Sequence, residues 1–178
     1  IFYILNFTKE LVKKLDEQID KFVDLDHKML MQAYETRKKE FGEFVFSEVM
    51  HGHKIGKAIL VSGTNLCDLK MLLEATKGKG IDVYTHGQMI VAHTMSKFKS
   101  YPHLVGHFGR GIEYYHSDFS AFPGPIFLTR LSLHRTQHLY RCKIFSTDNT
   151  STKIVITIKN HNYEPLIQAA LNSDGFVD

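Results

Sequence analysis

The sequence predicts an α/β fold: a mostly parallel sheet flanked by helices, preceded by an N-terminal helical segment. Three observations carry this. First, the apolar run Ala58-Ile-Leu-Val61 turns on Ser62-Gly63. It is followed by Leu66, Leu69, Leu72 and Leu73 at helical spacing, then by the short run Ile81-Asp-Val-Tyr84, which together make one strand–helix–strand unit. Second, the chain beyond it goes on alternating short apolar runs with helical patterns. Third, the first forty residues hold apolar positions at three- and four-residue intervals and no strand pattern.

Taken in order, residues 8–39 read as helix through Leu11, Leu15, Ile19, Phe22 and Val23, with Lys and Asp/Glu between them. Thr8 is expected to cap its start, and a break is possible near Asp24-Leu-Asp26, so one long helix and an antiparallel pair both fit. Phe41-Gly42 ends this region, and residues 43–55 read as a linker or irregular edge. The breaker Gly78-Lys-Gly80 separates the helix at 65–76 from the strand at 81–84. Residues 89–98 are expected to form a short helix ended by Tyr101-Pro102, since the residue before proline avoids the helical region. A third strand is expected at 103–106, a helix at 112–120 and a fourth strand at 124–129. Residues 139–145 form a fifth segment, residues 153–158 have strong strand propensity, and 163–172 make a closing helix with Pro165 in its first turn. The division is therefore a helical segment at 1–42 and an α/β domain at 43–178.

Composition excludes several classes. A formal charge of +3, with Lys and Arg spread out and no arginine-rich run, argues for solubility and against a nucleic-acid partner. Two cysteines, Cys67 and Cys142, sit far apart and can build neither a disulfide framework nor a four-cysteine metal site. A reducing, cytoplasmic location is the expectation. No apolar run reaches the roughly 20 residues a membrane-spanning helix needs, so no membrane association is expected. The sequence begins without Met, and we expect a processed or partial piece of something longer.

In open α/β sheets ligands sit beyond the carboxyl ends of the strands. That places the first candidate site at the turns Ser62-Gly-Thr-Asn65 and Thr85-His-Gly-Gln88, with Ser62, Asn65, His86 and His93 as pocket-floor residues. Neither these turns nor His107-Phe-Gly-Arg-Gly111 has the spacing of a phosphate-binding loop. His51-Gly-His53 lacks a third ligand, and His134-Arg-Thr-Gln-His138 lacks the Glu of the zinc-protease pattern, so no metal site is expected at either. His86 and His93 read first as structural histidines. Cys67 lies in the first turn of a helix, where a thiol is acidified, yet a packed core cysteine is the simpler reading.

A run of motifs resembles a known family. Ala58-Ile-Leu-Val-Ser-Gly-Thr-Asn-Leu66, Val83-Tyr-Thr-His-Gly-Gln-Met89 with Ala92-His93, Tyr101-Pro-His-Leu-Val-Gly106 and Phe122-Pro-Gly-Pro-Ile126 follow one another as in the hybrid-cluster (prismane) protein family. Lys143-Ile-Phe-Ser-Thr147 and residues 163–176 are also similar to it, and the resemblance covers residues 41–177. It implies a Rossmann-like middle domain, preceded by the end of a helical domain. The family's activity is hydroxylamine reduction, and it is related to carbon monoxide dehydrogenase. Its chemistry depends on an iron–sulfur–oxygen cluster ligated in this region by His, Glu and Cys. At the matching positions this sequence has Thr64, Gln88 and Ser132. A threonine hydroxyl offers no imidazole lone pair, a neutral amide binds iron far more weakly than a carboxylate, and serine holds its proton tightly.

The resemblance therefore implies a degenerate relative: no cofactor, no catalytic residue, and a role as a protein-binding or structural component of a larger assembly. One alternative is an oxidoreductase of the hydroxylamine or nitric oxide reductase type, whose iron–sulfur clusters are held by domains or chains outside these residues. The other is a small-molecule-binding module built on the Thr64 and Gln88 floor, where the two side chains can hydrogen-bond each other or a water.

Overall fold

The computed structural model describes residues 2–129, 140, 143–148 and 155–178, and side chains from residue 8 onward. It comprises two compact units, Ile1–Gly42 and Glu43–Asp178.

The first unit is one helix, α1 (Phe2–Phe41). No Gly or Pro occurs in it, and aspartate costs only a fraction of a kcal/mol, roughly 0.5, at an exposed helical position, so Asp24 and Asp26 do not break it. Thr8 consequently lies inside the helix and is not its cap. Gly42 ends it at φ 85°, donating its N–H to the Lys38 carbonyl at 2.9 Å, the left-handed stop that glycine adopts without a Cβ penalty. The apolar stripe expected on one face is present and exposed: Leu11, Leu15, Ile19, Phe22 and Leu30 all face solvent.

The second unit is a six-stranded sheet in the order β3-β2-β1-β4-β5-β6. Its strands are β1 (Lys57–Gly63), β2 (Ile81–His86), β3 (Leu104–His107), β4 (Ile126–Thr129), β5 (Ile144–Ser146) and β6 (Ile156–Thr157). Every pairing is parallel. The helices are α2 (Leu66–Thr76), α3 (Tyr115–Ala121) and α4 (Glu164–Leu171). This is the α/β, Rossmann-like architecture the sequence predicts. Residues 153 and 154 of the expected last strand, and the His134–His138 pair, lie outside the described residues.

Because helices cover both faces, the strands read as continuous apolar runs. One face packs Leu60, Tyr84, Phe122, Ile126, Leu128 and Ile144 into a single core cluster. Their neighbours Ile59, Val61, Val83 and Phe127 alternate to the other face, where Phe127 meets the Tyr163 ring edge-on at 5.6 Å. Each such fully buried side chain contributes about 1.5–3 kcal/mol.

Two expected helices differ: the one at 112–120 opens as a 3₁₀ turn, Ile112–Tyr114, before α3. Residues 89–98 are not one α-helix but two 3₁₀ helices, Gly87–Thr94 and Ser96–Ser100. Met95 between them is extended and bridged to Phe44, which interrupts helical hydrogen bonding. The segment expected as a linker or irregular edge is the latter, an irregular strap along the domain. Its backbone is tied by Val45 N–H to Thr94 O at 2.7 Å, by His107 N–H to Met50 O at 2.8 Å, and by Gly56 to Phe176.

Candidate functional site

The chain reverses its winding between β1 and β4, so the carboxyl ends of these strands are where such a sheet holds a ligand. The strands β1 to β5 end on polar groups that are nonetheless buried: Ser62 on β1, Thr85 and His86 on β2, His107 on β3, Thr129 on β4 and Ser146 on β5.

The switch point itself is closed. Gly63 has φ 122°, and a Cβ there would overlap the Thr129 carbonyl oxygen, so the β1 and β4 turns lie in direct contact. Thr129 Oγ1 accepts the Asn65 N–H at 3.1 Å. Asn65 caps α2, its Oδ1 accepting the N–H groups of Cys67 at 3.1 Å and Asp68 at 3.4 Å. Its amide donates to Asp68 Oδ2 at 2.9 Å, which also accepts the Thr147 hydroxyl at 2.8 Å. Asn65 therefore takes up donors that a phosphate would otherwise use at this helix start, in line with the lack of a phosphate-loop spacing. Cys67 is exposed, not the core thiol expected from its helix.

Beside this closed floor lies a cluster of imidazoles. Ser62 Oγ and His86 Nδ1 are 3.1 Å apart, joining the ends of β1 and β2. Thr85 Oγ1 stands 3.0 Å from His93 Nε2 and 2.9 Å from His107 Nδ1. His51, on the strap, meets the His107 ring edge-on at 5.5 Å. Burial lowers the pKa of His86 and His93. It does the same to His107, helped by the repulsion of His86, His51 and His93, and brings that imidazole down to about 4. These three rings are thus neutral at pH 7. Behind His86 stands Asp118, 4% exposed, with its Oδ2 3.6 Å from His86 Nε2 and Arg110 clamped on its carboxylate.

Of the residues picked from sequence, Ser62, Asn65, His86 and His93 all lie at this carboxyl edge, but Asn65 is drawn into the α2 cap and away from the imidazoles. Thr64 and Gln88 are exposed on the rim above them, and no hydrogen bond joins the two. Ser132 lies outside the described residues. Sequence reading missed Asp118, Thr129 and the role of His107, and named Thr85 only as part of a turn. The available signal was their position, since each but Asp118 is the polar residue that terminates an apolar run.

Among the described residues no group of three or more His, Cys, Asp or Glu side chains is arranged to hold a metal ion. With Thr64 and Gln88 on the rim, the donors present do not fit an iron–sulfur cluster by themselves. A separate open cleft of about 580 Å³ lies between the strap and the 3₁₀ helices, lined by Phe46, Glu48, His93, Phe98, Lys99 and Tyr101.

Comparison with known proteins adds a family. The model of the Prismane/CO dehydrogenase family matches residues 5–178. The hydroxylamine reductase of Rhodospirillum rubrum is 42% identical over 138 residues, which is 78% of this chain and 25% of that protein. That of Solidesulfovibrio magneticus is 44% identical over 136 residues, 76% of this chain and 25% of the relative. That of Thermodesulfovibrio yellowstonii is 40% identical over 149 residues, 84% and 27% respectively. The chain thus spans about a quarter of the length of the curated relatives it matches.

Proposed function

The chain belongs to the prismane/CO dehydrogenase family, and from that premise we propose that it is the α/β middle segment of a hydroxylamine reductase-type oxidoreductase. In this reading it supplies one wall of a redox site whose iron–sulfur groups are held by polypeptide outside these residues. One observation carries the reading. The floor at the strand ends is closed by its own hydrogen bonds, while Thr64 and Gln88, at positions where the family resemblance places cluster ligands, stand exposed on the rim. A closed floor under an exposed rim suits a wall completed by another domain better than a self-contained pocket. The similarity to hydroxylamine reductases supports this alternative over a cluster-free relative. Because the donors on the rim do not fit an iron cluster, no chemical step is assigned to them. The division into a helical tail and an α/β domain at residue 43 belongs to the same proposal.

Iron and acid-labile sulfide in the complete protein, isolated without oxygen, together with hydroxylamine-dependent oxidation of a reduced viologen dye, test it. Stoichiometric iron and sulfide with turnover is the expected result. A metal-free, inactive protein would overturn it.

A second reading, the cluster-free protein-binding component, is favoured by the substituted rim positions and by the exposed apolar stripe of α1. It expects a metal-free protein that co-purifies with a partner protein. No described helix is long and apolar enough to cross a membrane. A cytoplasmic location is part of the proposal.

A further inference from the structure

Two turns carry the rim, and one buried side-chain bond ties them together. In the sheet register Ser62 pairs with His86, and Thr64 and Gln88 each follow two residues later, in the turns after β1 and β2. Beyond that pair the parallel ladder ends, so the Ser62–His86 hydrogen bond is the last link holding the turns at a set spacing. Its geometry depends on which way the His86 ring faces and which nitrogen carries the proton.

That choice is made from the far side of the ring. His86 is fully buried, and its Nε2 is, among the described residues, the one buried side-chain nitrogen or oxygen without a hydrogen-bond partner. At 3.6 Å, Asp118 Oδ2 is too far for a hydrogen bond but close enough for its charge to act in a dry interior. Asp118 cannot swing away. Its Oδ2 accepts the Arg110 backbone N–H at 2.8 Å, and its Oδ1 accepts from Arg110 Nε at 3.2 Å and Nη2 at 3.1 Å. The Arg110 guanidinium is itself seated over the Tyr114 ring at 4.1 Å and donates to Ser117 Oγ at 3.0 Å. The imidazole is boxed by Tyr115 at 4.4 Å and Phe119 at 4.8 Å. Gly109 leaves the Nε2 edge free, since a Cβ there would lie 2.7 Å from Nε2 and 3.1 Å from Asp118 Oδ2.

We propose that Asp118 is a positioning residue: it fixes the ring orientation and tautomer of His86, and through the His86–Ser62 bond it sets the spacing of the two turns that carry Thr64 and Gln88. A neutral imidazole has one N–H and one lone pair. A lone pair on Nε2 would face the carboxylate and be repelled, whereas an N–H there is attracted. The proton therefore sits on Nε2, and Nδ1 accepts from the Ser62 hydroxyl. Serine then has its proton committed, so the β1 turn is held in one orientation relative to the β2 turn. The use of that spacing in a redox site rests on the function proposed above; the positioning itself does not.

The test reads the tautomer directly. Solid-state ¹⁵N spectra of the complete protein, labelled at histidine, are recorded for the wild type, Asp118→Asn and Asp118→Glu, with His86→Gln identifying the His86 resonances. The expected result is an unprotonated Nδ1 and a protonated Nε2 in the wild type, retained in Asp118→Glu. In Asp118→Asn the amide can face the ring with either its oxygen or its NH₂, and the two tautomers mix. A wild-type His86 protonated on Nδ1 overturns the proposal without any variant, and so does an Asp118→Asn spectrum identical to wild type. Hydroxylamine turnover on the same samples is expected to fall at least several-fold in Asp118→Asn and to recover in Asp118→Glu. If wild-type protein shows the expected tautomer but no turnover, the reductase reading fails and the positioning role stands.

Discussion

Gly63 is the position where the structure makes its sharpest energetic demand. Replacing it with alanine perturbs two things at once. The backbone at φ 122° lies in a region that L-residues rarely adopt, and holding alanine there costs about 1–3 kcal/mol. The new methyl group would also overlap the Thr129 carbonyl, a backbone atom fixed by the pairing of β1 with β4. Moving it aside resembles overpacking a core and adds about 1–3 kcal/mol. The sum is about 4 kcal/mol. For a domain of this size each kcal/mol lowers Tm by roughly 3–4 °C, so a drop of about 12–16 °C is expected. Gly78→Ala supplies the comparison. Its φ of 72° is also left-handed, but no atom lies within 4 Å of the added Cβ, so only the strain of about 1–2 kcal/mol applies. Thermal and urea unfolding of the two variants beside the wild type separate the terms. If Gly63→Ala costs no more than Gly78→Ala, the close contact of the β1 and β4 turns, and with it the closed switch point, is refuted.

Three further outcomes are expected. Asn65→Ala removes the α2 cap and one of the hydrogen bonds to buried Asp68, and should cost about 1–2 kcal/mol in urea unfolding; a change under roughly 0.3 kcal/mol, near the noise of such measurements, would deny the capping role. Phe122→Ala empties a fully buried site ringed by Tyr84, Phe108 and Phe176, and should lower stability by about 3–5 kcal/mol, read by the same assay. Stability should also fall in acid. The folded pKa of His107 lies below the unfolded value, at about 4, so its neutral form stabilises the fold fully above pH 6.5. That contribution is lost progressively as pH falls from 6.5 through about 4, with His86 and His93 acting in the same direction. Urea midpoints between pH 7 and 4 check this, and a His107→Gln protein should show a shallower decline.

Much of the fold is legible in the chain because local chemistry and tertiary packing agree there. Ala58 to Val61, Leu66 to Leu73 and Ile81 to Tyr84 have the apolar period, the cap and the glycine breakers of a strand–helix–strand unit, and they fold as one. The reading fails where a distant residue decides. Residues 89–98 carry apolar residues at helical spacing, but Met95 is pulled into a bridge with Phe44 and the helix splits. Residues 43–56 lack any pattern, since a strap is held by its backbone hydrogen bonds to other segments and its side chains carry no period. The site divides in the same way. Ser62, His86 and His93 were visible as polar residues beside turns. Asp118 was not, because nothing near it in sequence signals that Arg110 and Gly109 would deliver its carboxylate to His86.

The sequence by itself determined the α/β class, the family motifs, and the identity of Thr64, Gln88 and Ser132 at the positions the resemblance marks. These are properties of residue type and short-range order, which no packing can alter. Only the tertiary structure decided that Asn65 caps a helix and does not line a pocket, that Thr64 and Gln88 stand apart on an exposed rim, and that His86 is held between Ser62 and Asp118. These depend on bringing together groups 24 to 64 residues apart, Asn65 with Thr129 being the longest, and only the parallel register and the closing of the β1 and β4 turns achieve it.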